Sequence, residues 1–152
     1  MILLRNYFVG TTDGIDVKSV IHEINRTLRE ANAKEGLVTV VVPHPGGALA
    51  ILEPLPTVVE QFKEAIRLFP GEGMETKTKS KEDVAVAPRV AAAVLGRSLS
   101  IPFGDGKLVL GPREEPMLVD LERGGRRREF CVQVMSEAAP AQQAGGAQKP
   151  RR

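Results

Sequence analysis

The chain has 152 residues, of which 42% are hydrophobic and 26% charged, the proportions of an ordinary globular domain with enough length for its own core. A single cysteine, Cys131, excludes an internal disulfide framework, and no apolar run approaches membrane-spanning length. The net charge is +2, but Lys149, Arg151 and Arg152 place three positive charges in a tail without acids, leaving the remaining body at −1 with no global field for nucleic acid.

The opening run Met1 to Leu4 is too short for a signal peptide and is broken by Arg5 and Asn6, so the expected compartment is the reducing cytoplasm, with no membrane partner. Ile2 to Thr12 contains Tyr7-Phe8-Val9 and reads as an edge or sheet strand. Thr12-Asp13-Gly14 signals a turn. Asp16 then stands where a helix N-cap would accept from a first-turn amide. Val17, Val20, Ile21, Ile24 and Leu28 build one apolar helical face behind it, with His22 at its boundary.

The most distinctive stretch comes next. Val38 to Val42 is an unbroken strand-favouring run, Pro43-His44-Pro45-Gly46-Gly47 is a corner, and Ala48 to Leu52 leads to the carboxylate of Glu53. Both apolar runs read as central strands, because β-branched residues fit a pleated, half-buried surface. His44 and Glu53 are thereby expected at opposite ends of a rigid, buried element and are the candidate catalytic residues. Glycines at the join allow another group to approach the backbone closely.

Pro54 and Pro56 punctuate the chain before a helix over Thr57–Phe69, whose buried stripe is Val58, Val59, Phe62, Ile66 and Phe69. Pro70-Gly71-Glu72-Gly73 ends it, and the polar segment Met74–Asp83 reads as a surface loop. An alanine-rich helix follows, beginning near Ala87 with Pro88 in its first turn and Gly96 as its C-terminal cap. The final third is β: a strand over Ser98–Pro102, a hairpin turn at Phe103–Gly106, its return over Lys107–Leu110, and further strands at Met117–Leu121 and Arg128–Met135. Cys131, within Phe130-Cys131-Val132, reads as a small buried hydrophobe rather than a nucleophile. The sum is one α+β domain over residues 1–137, with a mixed or antiparallel β-sheet and about three helices. The Ala/Gln/Gly/Pro-rich tail 138–152 is expected to be disordered.

The order of these motifs resembles the YjbQ-like family, small α+β proteins often described as secondary thiamine-phosphate synthases. The likeness spans Thr12 to Met135. It is carried by Leu95-Gly96-x-Ser98-Leu99-x-Ile101-Pro102, by Asp105-Gly106-Lys107-Leu108-Val109-Leu110-Gly111, by Asp120, by Arg126-Arg127-Arg128-Glu129 and by Val132-Gln133-Val134-Met135. The resemblance implies a compact subunit assembling as a homotrimer, with a site near the histidine corner. The family's His-Thr-Thr-Ala and Asn-Glu signatures keep His44 and Glu53 here, but the threonines are Pro45 and Gly46 and the asparagine is Leu52. Its Asn-Ala-His-x-His signature falls on Ala85, Ala87 and Arg89, and Gly-Thr-Trp-Gln falls on Gly111-Pro112-Arg113-Glu114.

Those departures change the expected chemistry. Imidazole sites for zinc-like ions need three or four placed donors, whereas this chain has two histidines in all. Arg89 in a ligand position would repel a cation. No metal or other cofactor is expected. An anion is the converse expectation: His44, the amides of Gly46 and Gly47, and Arg89 would surround a small phosphate or carboxylate, with Arg126 and Arg128 contributing. The bland alternative is that Arg89 pairs with an acid such as Asp83 and the arginine run is a solvated strand end. The functional expectation is a divergent, non-catalytic or altered YjbQ-like protein binding a small anion near His44. A thiamine-phosphate synthase-like enzyme is the alternative, and a nucleic-acid or acidic-partner module is the weakest, for want of interleaved aromatics.

Overall fold

Inward and outward residues alternate along the last strand, where Arg128, Phe130, Val132 and Val134 are buried and their neighbours are not. Such alternation gives a sheet one core face, and the rest of the fold is arranged on it. The computed structural model describes residues 1–68, 86–122 and 124–137. The expectations for the Phe69 helix end, the Pro70–Gly73 stop, the Met74–Asp83 loop, the Ala85 signature position, the Asp83 partner and the 138–152 tail lie outside the described residues.

In chain order the elements are β1 (Ile2–Gly10), β2 (Asp16–Ser19), α1 (Ile21–Ala31), β3 (Gly36–Val41), β4 (Gly47–Leu52), α2 (Pro56–Leu68) and α3 (Val86–Leu95). They continue with β5 (Ser98–Gly104), β6 (Lys107–Leu108), β7 (Glu115–Asp120) and β8 (Arg127–Met135). The strands form two sheets, ordered β1-β8-β3-β5-β6 and β2-β7-β4, and every described pairing is antiparallel. β1 and β8 pair along their whole lengths, from Ile2 opposite Met135 to Gly10 opposite Arg127. The result is an α+β fold with antiparallel sheets and three described helices.

Two cores follow from this layering. Val38, Val40, Phe130, Val132 and Val134 from the larger sheet meet Ile24 and Leu28 of α1 and Leu49 and Leu118 of the smaller sheet. On the other side of the smaller sheet, Ala48, Val119 and Leu121 pack with Ile66 of α2 and Ala91 and Ala92 of α3. Small alanine side chains let α3 approach β4, and Leu49 N–H donates to the carbonyl of Gly96 at the helix end (3.0 Å). β7 is covered on both faces, which is why Pro116 to Asp120 are all buried.

Three local expectations are corrected. Asp16 caps no helix: it opens β2 opposite Asp120, and its carboxylate accepts from Thr12 N–H (2.8 Å) and Thr12 Oγ1 (3.1 Å). α1 begins at Ile21 without a side-chain N-cap bond, and Val17 joins the second core from a strand. A short strand reads like a helix start because Val17, Val20 and Ile21 satisfy helical spacing whether or not the backbone coils. β4 is an edge strand rather than a central one, its apolar content explained by α3 against it. β6 spans two residues: Val109 N–H still donates to Pro102 O, but Pro102 has no N–H to return a bond, and Leu110 N–H folds back to Leu108 O. The turn expected over Phe103–Gly106 narrows to Asp105-Gly106, both with positive φ (51° and 71°), while Phe103 and Gly104 stay in β5 opposite Leu108 and Lys107. Cys131 is a free thiol of intermediate burial, and burial pushes its thiol above the ordinary value, with Glu129 adding to the effect.

Candidate functional site

The proline- and glycine-containing corner carries the chain from one sheet to the other, since β3 lies within the larger sheet and β4 at the edge of the smaller. Three backbone bonds hold it: Val42 N–H to Arg97 O (2.9 Å), Gly47 N–H to His44 O (3.1 Å) and Leu121 N–H to Gly46 O (3.0 Å). The last of these brings the end of β7 beside the corner. Glycine is required there by close approach: a Cβ on Gly46 would lie 2.3 Å from Glu122 Cγ and 2.4 Å from its Oε1, and one on Gly47 would lie 2.6 Å from Val42 Cγ1. The Glu122 side chain therefore fills the space that Gly46 leaves open.

Charge is concentrated at that point. Arg128, from the start of β8, has a side chain 5% exposed and donates through Nε to Asp120 Oδ2 and through Nη2 to Asp120 Oδ1, each at 2.9 Å. This two-point pairing matches the guanidinium fork to the carboxylate. Thr11 Oγ1 also donates to Asp120 Oδ2 (2.6 Å), and Glu122 N–H donates to Oδ1 (3.2 Å). Glu122 Oε2 is shared by Arg128 Nη2 (3.3 Å), Arg126 Nη1 (3.5 Å) and His44 Nε2 (3.4 Å). His44 Nε2 is within ion-pair range of that oxygen yet not aligned for a hydrogen bond, and it is buried without one.

Protonation follows from these contacts. Burial alone would raise the Asp120 carboxyl, but the hydrogen bonds from Arg128 and Thr11 outweigh it and hold the group below its ordinary value. Burial lowers the His44 imidazole, and the Arg128 charge lowers it further against the opposing pull of Glu122 and Asp120. His44 is thus a neutral imidazole at pH 7 with one nitrogen facing a carboxylate cluster.

Of the residues singled out by sequence, the structure brings together His44, Gly46, Gly47, Arg126 and Arg128. Arg89 and Glu53 stand apart. The corner meets α3 at its Gly96 end, and Arg89 is about 10 Å further along the axis at the usual helical rise, exposed. Glu53 is exposed beyond the far end of β4, lining a cavity of 290 Å³ with Gly111, Pro112, Arg113 and Glu114. Glu53 and the Gly111–Glu114 stretch therefore meet there rather than at His44. Sequence reasoning missed Glu122 and Thr11 and met Asp120 only as part of a resemblance. The available signal was Asp120-x-Glu122 followed across a turn by Arg126-x-Arg128, alternate positions that put two acids and two bases on matching faces.

The residues present do not fit a histidine-rich metal centre. Both carboxylates near His44 are already paired with guanidinium groups, and a fixed positive charge beside the imidazole disfavours a cation. Among the described residues, no group of three or more His, Cys, Asp or Glu side chains is arranged to hold a metal ion. Among them, too, no helix is long and apolar enough to cross a membrane.

Comparison with known proteins agrees with this architecture. The chain is similar to a solved YbjQ-like protein of Sulfolobus solfataricus P2, at 22% identity and TM-score 0.82, covering 90% of this chain and 99% of that one. A hypothetical protein of Aeropyrum pernix K1 is similar at 26% identity and TM-score 0.79, over 89% and 99% of the two chains. A UPF0047 protein of Methanocaldococcus jannaschii is 24% identical over 137 residues, covering 89% of this chain and 96% of the relative. The model of the family described as UPF0047 protein YjbQ-like matches residues 5–137, and with that extent and this fold the chain belongs to the YjbQ-like family.

Proposed function

We propose that this chain is a ligand-binding, non-catalytic member of its family, taking a small phosphate or carboxylate at the His44 corner. The observation that carries this is Glu122: a carboxylate held against Gly46 by Arg126 and Arg128, with His44 Nε2 3.4 Å from it. Groups that hold one carboxylate suit another anion of similar size, and Glu122 occupies the place such a ligand would take. The buried, unbonded Nε2 of His44 is the donor an incoming anion would satisfy once the imidazole is protonated or takes the Nε2–H tautomer. Bound anion raises the His44 pKa, since the charged imidazole gains a partner. Arg89 has no part in this arrangement. The synthase-like alternative asks for dense positive stabilisation of a departing pyrophosphate, whereas Asp120 and Glu122 neutralise the two arginines of this corner.

The test follows the His44 imidazole by NMR through a pH series, without and with inorganic phosphate. The free imidazole should titrate below 6.5, shift upward with phosphate, and do so at about tenfold lower phosphate in Glu122→Gln, which loses the competing charge. An imidazole unmoved at roughly 10 mM phosphate in both proteins would sink the proposal.

The homotrimer implied by family resemblance is part of the same proposal. The outer face of the larger sheet offers a surface for it, with Ile2, Leu4, Phe8, Val41 and Met135 exposed. These side chains lie in cross-strand rows such as Ile2–Met135–Leu37–Pro102.

A further inference from the structure

A second concavity lies away from the His44 corner, between α1 and the hairpin edge of the larger sheet. It measures 700 Å³, within the range of small-molecule sites. One wall is a stripe of α1, where Ile21, Asn25 and Arg29 recur at helical spacing, continued by Asn32 at the helix C-cap. The opposite wall is the edge strand β6 with Lys107 and Leu108, continued by Leu110. Leu28 contributes to both the main core and this groove, which gives the groove an apolar floor.

The polar groups on these walls are uncommitted. Among the described residues, Arg29 and Lys107 have no ion-pair partner, and the side-chain amides of Asn25 and Asn32 have no hydrogen bond within the protein. The acid on this wall, Glu114, turns its carboxylate onto its own loop, where Oε1 accepts from Gly111 N–H (2.8 Å) and sits where a Gly111 Cβ would be. Two cations and one carboxylate thus line the concavity, and the carboxylate is turned onto the Gly111 amide of the same wall. Elsewhere on the surface, exposed arginines such as Arg5 and Arg67 are paired with Glu30 and Glu64.

We propose that this groove is a second ligand site, binding a small organic anion: a flat apolar body carrying one phosphate or carboxylate. Arg29 and Lys107 take the anionic group, Asn25 and Asn32 donate or accept along the body's polar edge, and Leu28, Leu108 and Leu110 contact its apolar faces. The site is independent of the His44 corner and of the ligand proposed there.

Phenyl phosphate is the probe, with inorganic phosphate as the comparison. Titrated into the full chain and followed by NMR, phenyl phosphate should give saturable shifts at the Asn25 and Asn32 side-chain amides and at the backbone of Lys107 and Leu108. Inorganic phosphate should bind the groove at least about tenfold more weakly, because it leaves the apolar floor untouched. Arg29→Gln with Lys107→Gln should weaken phenyl phosphate about tenfold with circular dichroism unchanged, both side chains being exposed. Saturable groove shifts should persist in His44→Ala, which separates this site from the corner. No saturation below roughly 10 mM, shifts confined to the His44 corner, or an unchanged affinity in the double variant would each overturn the assignment.

Discussion

Asp120 and Arg128 make the strongest residue-level commitment in the chain, because both are buried charges and each is the other's main compensation. Removing one partner leaves an unpaired charge out of water, so Asp120→Ala should lower unfolding free energy by about 3–5 kcal/mol. Replacing the pair by Leu and Met should cost much less, since two apolar side chains leave nothing unsatisfied. Denaturant unfolding of both variants checks this; equal losses would show that packing, not charge pairing, sets the cost. The same carboxylate gives acid sensitivity. Its pKa is lower folded than unfolded, so its stabilisation is complete above the ordinary value of 3.8 and disappears as pH falls through the folded value. Asp120→Ala should accordingly flatten the loss of stability below that pH. Arg128 was legible as a candidate from its position in an arginine run, but not as buried, because composition gives no sign that an acid eight residues away lies across a turn. Glu122 escaped notice for the same reason.

At the scale of elements, the corner between β3 and β4 does more than turn the chain. It passes from one sheet to the other and leaves a gap at Gly46 into which the Glu122 side chain packs. Gly46→Ala would drive a methyl group into that side chain, and the backbone there does not need positive φ, so the strain falls on Glu122. The variant should fold, lose about 1–2 kcal/mol, and change the His44 titration as Glu122 is displaced. A wild-type titration curve would show that Glu122 does not act on His44. The apolar runs and the Pro/Gly corner were readable in advance, because strand propensity and turn chemistry are local. The sheet switch was not, since a continuous pair and a crossing pair have the same residue pattern. The presence of a hairpin turn at Asp105-Gly106 was readable, positive φ suiting those residue types, but the length of its two arms was not. β2 was not, because four residues carry too little periodicity to distinguish a strand from a helix start.

For the whole molecule, the open face of the larger sheet is where self-association would be felt. Leu4 is 53% exposed on the edge strand β1, at the end of its cross-strand row, so Leu4→Glu should convert the proposed trimer to monomer without unfolding the chain. Sedimentation or light scattering reads the mass, and a trimer that persists would move the interface to another surface. The sequence by itself determined the α+β class, the order of most elements, the helix from Thr57 and the alanine helix capped by Gly96, because periodicity, proline and glycine act within a few residues. It also determined that His44 has at most one other histidine to partner it, a matter of counting. Only the tertiary structure decided which groups meet. Arg89 and Glu53 leave the His44 corner and Asp120 and Glu122 enter it, because strand pairing brings together residues far apart in the chain. The groove beside Arg29 and Lys107 was likewise invisible, since its walls are a helix and a strand separated by most of the fold.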